Sequence, residues 1–228
     1  MTPTARILII DDHPIFRTGI AQLINHQGEF FVCGEAETAP EALEAIVRLK
    51  PDLVILDITL KGINGIELMK TIRSSAPQLP VLVLSMHEES LYAERALRAG
   101  ARGYVTKQEA SNQVLDAIRR VLTGELYVSP VLGLHIATRM ANGGDWAKSA
   151  VENLTDRELE IFELLGRGRG TRQIAVALKL SVKTVETHRA HIKAKLGAKT
   201  APEMVRLAVQ WVNELPNSND KRLESNDL

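Results

Sequence analysis

Five short apolar runs recur over the first 122 residues, each followed by an amphipathic stretch. The runs are Arg6–Ile10, Phe31–Ala36, Leu53–Ile58, Val81–Ser85 and Gly103–Thr106. The stretches between and after them are Ile15–Asn25, Pro40–Leu49, Gly65–Ser74, Leu91–Ala99 and Ala110–Leu122. These place apolar residues three or four apart, as at Ala42, Leu43, Ile46 and Leu49, which is the period of a helix packed on one side. The third and fourth runs are apolar almost throughout, as strands covered on both faces are. Five strand–helix units in succession predict an α/β fold, a five-stranded doubly wound parallel sheet. In such a sheet the functional site lies at the carboxyl ends of the strands.

Those ends carry chemistry. Asp11 and Asp12 close the first strand, Asp57 the third and Ser85 the fourth, and Lys107 follows the fifth. Three carboxylates, a hydroxyl and an ammonium thus meet at one edge. Carboxylates so crowded need a counter-ion, and hard oxygen ligands with room for water suit Mg²⁺. A carboxylate beside Mg²⁺ and a lysine can attack phosphorus, because the two cations neutralise the transferring phosphoryl oxygens. His13, between Asp12 and Pro14, reads as a helix-start residue rather than a ligand. His87 is a secondary candidate for tuning the lifetime of a phosphoryl group. Cys33, the single cysteine, reads as a small core hydrophobe; it excludes an intramolecular disulfide and a multi-cysteine zinc site.

The segments IIDDHPIFRTGI, VILDITL, VLVLSMHEE and GARGYVTK resemble the receiver domain of two-component response regulators, over residues 5–122. The resemblance implies that Asp57 accepts a phosphoryl group from a sensor histidine kinase. It implies that Asp11, Asp12, Asp57 and the backbone carbonyl of Thr59 hold Mg²⁺, and that Lys107 contacts the phosphoryl group. Ser85 and Tyr104 match the family's switch pair, a hydroxyl that turns toward the phosphate and an aromatic that follows it. Gln108 stands where many receivers have proline. The competing reading is an aspartyl phosphotransferase for small molecules. Such enzymes commonly carry the nucleophile on the first strand with a second Asp two residues later, and a cap over the substrate. Neither pattern is present.

Whole-chain charge is uninformative, with 28 basic and 28 acidic residues. The distribution is not even: residues 169–199 carry eight Lys/Arg against one Asp/Glu. A basic block confined to one part of a neutral chain is a footprint for a polyanion. Residues 123–149, with Gly124, Pro130 and the run Ala141–Asp145, read as a linker with a short helix at Val131–Met140. Residues 216–228 read as a disordered tail. No apolar run approaches the ~20 residues of a membrane span, and the N-terminus has no signal-peptide pattern, so a cytoplasmic location is expected.

Residues 150–215 read as a small all-α domain of four helices. Thr155 with Glu158 is a capping box, and Leu154 can staple onto Leu159. Helices follow at Thr171–Leu178, Val182–Leu196 with Ser181 as cap, and Pro202–Leu215, the last behind a second capping box, Thr200 with Glu203. Two helices joined by a tight turn form a helix-turn-helix. On the third helix Val185, Ile192 and Leu196 line one apolar stripe. Lys183, Thr187, Ala190 and Ala194 lie opposite, flanked by Glu186 and His191. Small and polar residues there suit base edges, and Lys193, Lys195 and neighbouring basic residues suit phosphates. Thr184 joins the DNA-binding set. On the fourth helix Val205, Val209 and Val212 form a second apolar stripe, which a second copy of the domain, or the segment around Trp146, would cover.

The segments LTDRELEIFELL and RQIAVALKLSVKTVETHRAHIKAKLG resemble the LuxR-type helix-turn-helix domain. Receiver plus this domain is similar to the NarL/FixJ class of response regulators. The resemblance implies a phosphorylation-dependent transcription factor rather than an enzyme. Its partners would be double-stranded promoter DNA, a second copy when phosphorylated, and RNA polymerase. Single-stranded RNA readers stack bases on aromatics, and residues 166–200 contain none. A purely protein-binding output would show no salt-dependent DNA affinity.

Overall fold

A computed structural model describes residues 4–60, 62–86, 89–134 and 150–213. The chain divides into two compact units on either side of the step from residue 146 to 147. The first alternates β1 (Ala5–Ile10), α1 (Pro14–Asn25), β2 (Phe30–Ala36), α2 (Ala39–Leu49), β3 (Leu53–Leu56), α3 (Gly65–Ser75), β4 (Val81–Ser85), α4 (Glu89–Ala99), β5 (Gly103–Thr106) and α5 (Ala110–Leu122). All strand pairs are parallel, in the order β2-β1-β3-β4-β5. The order reverses between β1 and β3, which opens a crevice at their carboxyl ends. β3 and β4 are buried at every residue, as runs apolar on both faces require. One packed layer joins Ile7, Ile9, Ile24, Leu53, Leu82 and Val105 of the sheet and α1 to Val114, Ile118 and Val121 of α5.

β3 stops at Leu56, so Asp57 stands just past the strand rather than within it. Its N–H still bonds the Ile10 carbonyl (2.9 Å), while its carboxylate turns the chain by accepting from the Thr59 N–H (3.2 Å). The described start of the 123–149 linker is anchored. Tyr127 donates to the Arg102 carbonyl and accepts from the Tyr104 N–H, both at 2.9 Å, using polar groups that the free edge of β5 would otherwise leave to water. Residues 130–134 are helical; the rest of the expected helix, the Ala141–Asp145 hinge, Trp146, His87 and residues 216–228 lie outside the described residues.

The second unit has a short 3₁₀ turn (Ala150–Asn153) and then α6 (Asp156–Gly166), α7 (Thr171–Ala177), α8 (Val182–Lys195) and α9 (Ala201–Asn213). The Thr155–Glu158 capping box forms, with both reciprocal bonds present. At α9 the box is displaced: Thr200 accepts from Glu203, but Glu203 reaches back to the N–H of Lys199 (2.7 Å). Phe162 packs on Trp211, ring centroids 5.4 Å apart. Gly166 permits a close crossing of α6 and α9, since a Cβ there would lie 2.4 Å from the Ala208 carbonyl oxygen. Val212 also rests on Gly166; of the second apolar stripe Val205 and Val212 are half-buried and Val209 is the most open, at 38% exposure.

Candidate functional site

The acidic pocket is assembled by the switch in strand order. Asp11 and Asp12 leave β1 and Asp57 leaves its neighbour β3; all three are buried, between 2% and 3% exposed. Lys107 arrives from the end of β5, where its N–H bonds the Ser85 carbonyl (2.7 Å). Its ammonium sits 2.6 Å from Asp11 Oδ2 and 2.7 Å from Asp57 Oδ2, with the Phe16 ring 4.5 Å away on another side. Ser85 and Tyr104 are both buried, on the adjacent strands β4 and β5. Thr59 begins the loop that follows Asp57. An isolated bridge from Thr59 to Asn64 closes this loop, and Asn64 caps α3 by accepting from Ile66 (2.8 Å).

His13 does more than start a helix. It occupies the N-cap position of α1 without a side-chain capping bond. Its Nδ1 lies 3.2, 3.0 and 3.6 Å from oxygens of Asp11, Asp12 and Asp57. The sequence signal for this was the unbroken run Asp11-Asp12-His13. Two further residues went unnoticed from sequence. Gly65 lies so close to the pocket loop that a Cβ would be 2.1 Å from the Asp57 carbonyl oxygen. Arg17 grips the pocket from behind through the Asp11 carbonyl (2.6 Å).

Charge is unequally shared among the carboxylates. Burial and the facing Asp57 push Asp11 above its usual range, against the pull of Lys107. For Asp57 burial also acts upward, but the His13 hydrogen bond and the Lys107 ammonium outweigh it and hold the carboxyl below the usual range. Of these two carboxyls, Asp57 is thus the one whose ionised form its surroundings favour. The His13 imidazole is raised chiefly by its bond to Asp57. Ligand atoms of Asp11, Asp12, His13 and Asp57 all lie within 4.8 Å of one another. Three buried carboxylates converging so closely are a hard-oxygen donor set, and the residues present fit Mg²⁺.

In the second unit α8 buries Val185 and Ile192 and exposes Lys183, Glu186, Thr187, Ala190 and His191; Thr184 and Lys193 are half-buried. Thr184 bonds Ser181 (2.7 Å) and Thr187 donates to the Lys183 carbonyl (3.1 Å), so both hydroxyls are anchored to their own helix. His191 leans toward Glu158 at 3.8 Å. Lys195 is held closer: its ammonium lies 2.6 Å from Glu158 on α6, tying the end of α8 into the domain. Arg169, Arg172, Lys179 and Lys199 are exposed around the turn, in which Lys179 takes a left-handed conformation (φ 54°).

A doubly wound sheet with an acidic crevice, followed by a helix-turn-helix, defines a response regulator built from a receiver and a DNA-binding domain. Residues 7–119 match the response regulator receiver domain, and residues 152–208 match the bacterial regulatory proteins of the luxR family. The oxygen regulatory protein NreC of Staphylococcus aureus (strain MRSA252) is 35% identical over 210 residues, covering 90% of this chain and 97% of NreC. A two-component response regulator of the LuxR family from Aurantimonas sp. SI85-9A1 is 38% identical. That match spans 61% of this chain and 99% of the other, with a TM-score of 0.57. RcsB of Salmonella enterica serovar Typhimurium, solved bound to promoter rprA with the phosphomimetic BeF3-, shares the fold at 23% identity. It covers 91% of this chain and 99% of RcsB, with a TM-score of 0.58. The chain belongs to the LuxR-type two-component response regulators, and the NarL/FixJ class fits it. It is a DNA-binding transcriptional regulator. Among the described residues no helix is long and apolar enough to cross a membrane.

Proposed function

We propose that the receiver is switched by phosphorylation of Asp57 and that the switch controls DNA binding by α8. The observation that carries this reading is the Lys107 ammonium bridging Asp11 and Asp57 inside a buried acidic crevice. An Asp57 oxygen attacks the phosphorus of a phosphohistidine on a sensor kinase. The O–P bond forms, the N–P bond breaks, and the imidazole leaves with its electron pair. Asp11, Asp12, Asp57 and the Thr59 carbonyl would hold Mg²⁺, which supplies neutralisation of the transferring phosphoryl oxygens. Lys107 gives up part of its pairing with Asp57 to a phosphoryl oxygen. Ser85 turns toward the new group and Tyr104 follows, altering the surface over β4 and β5. Attack of water on the phosphorus breaks the O–P bond, frees the Asp57 carboxylate and releases inorganic phosphate, so the protein catalyses only its own loading and unloading.

On the output side, Lys183, Thr184, Glu186, Thr187, Ala190 and His191 face the major groove and Lys193 meets phosphates. Lys195 reaches phosphate only by leaving Glu158. Two copies pair through Val205 and Val209 on α9, giving two recognition helices about 34 Å apart on an inverted-repeat site. Promoter DNA, the kinase and, at the promoter, RNA polymerase are the partners, in the cytoplasm. The test is direct. Wild type and Asp57→Asn are incubated with a small phosphodonor and Mg²⁺, and intact mass is measured. The wild type gains one phosphoryl group and the variant none; equal incorporation refutes the assignment.

A further inference from the structure

Arg17, on α1, makes three side-chain hydrogen bonds behind the acidic pocket. Its side chain is 11% exposed. Nη1 donates to the backbone carbonyl of Asp11 (2.6 Å). Nε donates to Glu35 at the end of β2 (2.7 Å), and Nη2 donates to Glu37 in the turn that follows (2.8 Å). One guanidinium thus joins the ends of β1 and β2 and the entry to α2.

The Asp11 carbonyl belongs to the peptide plane between Asp11 and Asp12, and the tilt of that plane sets where both carboxylates point. The Asp11 N–H, which lies in the preceding peptide plane, is bonded to the Ala36 carbonyl (3.1 Å). Both backbone groups of Asp11 are therefore fixed from the β2 side. The two carboxylates are left to face Lys107, His13 and Asp57. A purely stabilising role fits the contacts poorly. Glu35 and Glu37 are 42% and 39% exposed, and surface pairs of that kind contribute little. The bond to the carbonyl touches the pocket itself.

We propose that Arg17 is a positioning residue for the divalent cation: it orients the Asp11–Asp12 peptide so that both carboxylates present to one ion. The inference rests on the reading of Asp11 and Asp12 as Mg²⁺ ligands. Groups that orient ligands from behind typically change metal affinity by about 10–100-fold when removed. Lysine cannot replace arginine here, because one ammonium cannot reproduce a planar fork with three separate acceptors.

The test uses the full chain. Mg²⁺ affinity is measured by calorimetry for wild type, Arg17→Ala, Arg17→Lys and the double variant Glu35→Gln/Glu37→Gln. Labelling of Asp57 by a small phosphodonor is followed across Mg²⁺ concentration. Arg17→Ala is expected to weaken Mg²⁺ binding by about 10–100-fold and to raise the half-saturating Mg²⁺ for labelling in parallel. The rate at saturating Mg²⁺ returns close to wild type. Arg17→Lys falls on the same side, and carries the test should the alanine variant not fold. The glutamine pair, which keeps the Arg17–carbonyl bond, shifts affinity least. Arg17 variants that bind Mg²⁺ as tightly as wild type overturn the proposal while labelling of the wild type persists. A wild type that takes up no label overturns the Asp57 reading itself, and the inference with it.

Discussion

In the sheet unit the charged residues of the candidate site, Asp11, Asp12, Asp57 and Lys107, are at most 8% exposed. In the helical unit Lys183, Glu186, Thr187 and His191 on α8 are all exposed. The difference matches the functions proposed for the two sites. A phosphoryl group is transferred where water is excluded and the surrounding charges are already in place. A duplex is met by side chains that remain in water until binding and whose contacts weaken with salt. Changing one member of the first set alters the charge balance that its neighbours feel in a low-dielectric crevice. Removing one member of the second takes away a contact and little else.

The sharpest way to break this comparison is at Asp11. Its carboxyl is raised by burial and by Asp57, so the folded state holds its proton more tightly than the unfolded chain. Stability therefore falls as pH rises through the window above the ordinary carboxyl value. At neutral pH, without divalent cations, ionisation of Asp11 works against folding. Asp11→Asn is expected to raise the urea midpoint at pH 7 while removing Mg²⁺-dependent labelling of Asp57. A variant that loses stability as well as labelling would show that the pocket is held together, rather than strained, by its charges.

Next in size is pairing on DNA. Val205→Asp with Val209→Asp places charge on the open part of α9 and leaves Met204 and Ala208, which are buried, untouched. Loss of a second linked contact removes an avidity gain of roughly 10²–10⁴. The folded variant should bind a two-half-site operator no better than a single half-site, by fluorescence anisotropy. Smaller again are Lys183→Ala and Thr187→Ala, each expected to cost about 1–3 kcal/mol on the cognate site and to relax sequence preference. Unchanged discrimination between cognate and scrambled sites would remove both residues from the groove. Lys193→Ala should instead lower the log–log salt slope by about 0.9, uniformly across sequences.

The two regions were also unequally legible in the sequence. Asp11, Asp12, Asp57 and Lys107 could be placed together because a parallel sheet leaves few positions for a residue just past a strand. Apolar patterning alone located every strand to within a residue or two. Arg17 and His13 were not legible as pocket residues. Arg17 looks like any polar position on an amphipathic helix until β2 brings Glu35 and Glu37 beside it. His13 sits where a helix cap would. In the helical unit the polar face of α8 was readable from its period, but the partners of its charges were not. α6 buries Asp156, Arg157, Glu158, Glu160 and Glu163, residues that composition assigns to solvent. Arg157 pairs with Glu160 at 2.6 Å and also donates to the Leu178 carbonyl, closing α6 on the end of α7. The Arg157–Glu160 pair is three residues apart on one helix, as its period allows; the burial of both residues and the bond to Leu178 depend on tertiary contact, on which periodicity carries no information.

Lys195 is where the comparison blurs, and it yields the smallest expected effect. It belongs by sequence to the basic block proposed to meet phosphate, yet it is paired with a buried glutamate like the charges of the receiver. Burial acts upward on Glu158, but Lys195 and the Thr155 N–H outweigh it and hold the carboxyl below its usual range. A depressed folded value means that Glu158 stabilises the domain above the ordinary carboxyl value of 4.5. That contribution fades as pH falls through the folded value. Glu158→Gln should therefore cost about 1 kcal/mol at pH 7, the scale of a lost helix cap or charged hydrogen bond. The gap to wild type should close on acidification, which unfolding curves at a series of pH values will follow. The same change frees the Lys195 ammonium. If Lys195 is kept from phosphate only by Glu158, the variant's DNA affinity should gain salt dependence, its log–log slope steepening by up to about 0.9. A variant with lowered stability and an unchanged slope would instead assign Lys195 wholly to the fold, and leave the phosphate contacts of α8 to Lys193 and the exposed basic residues around the turn.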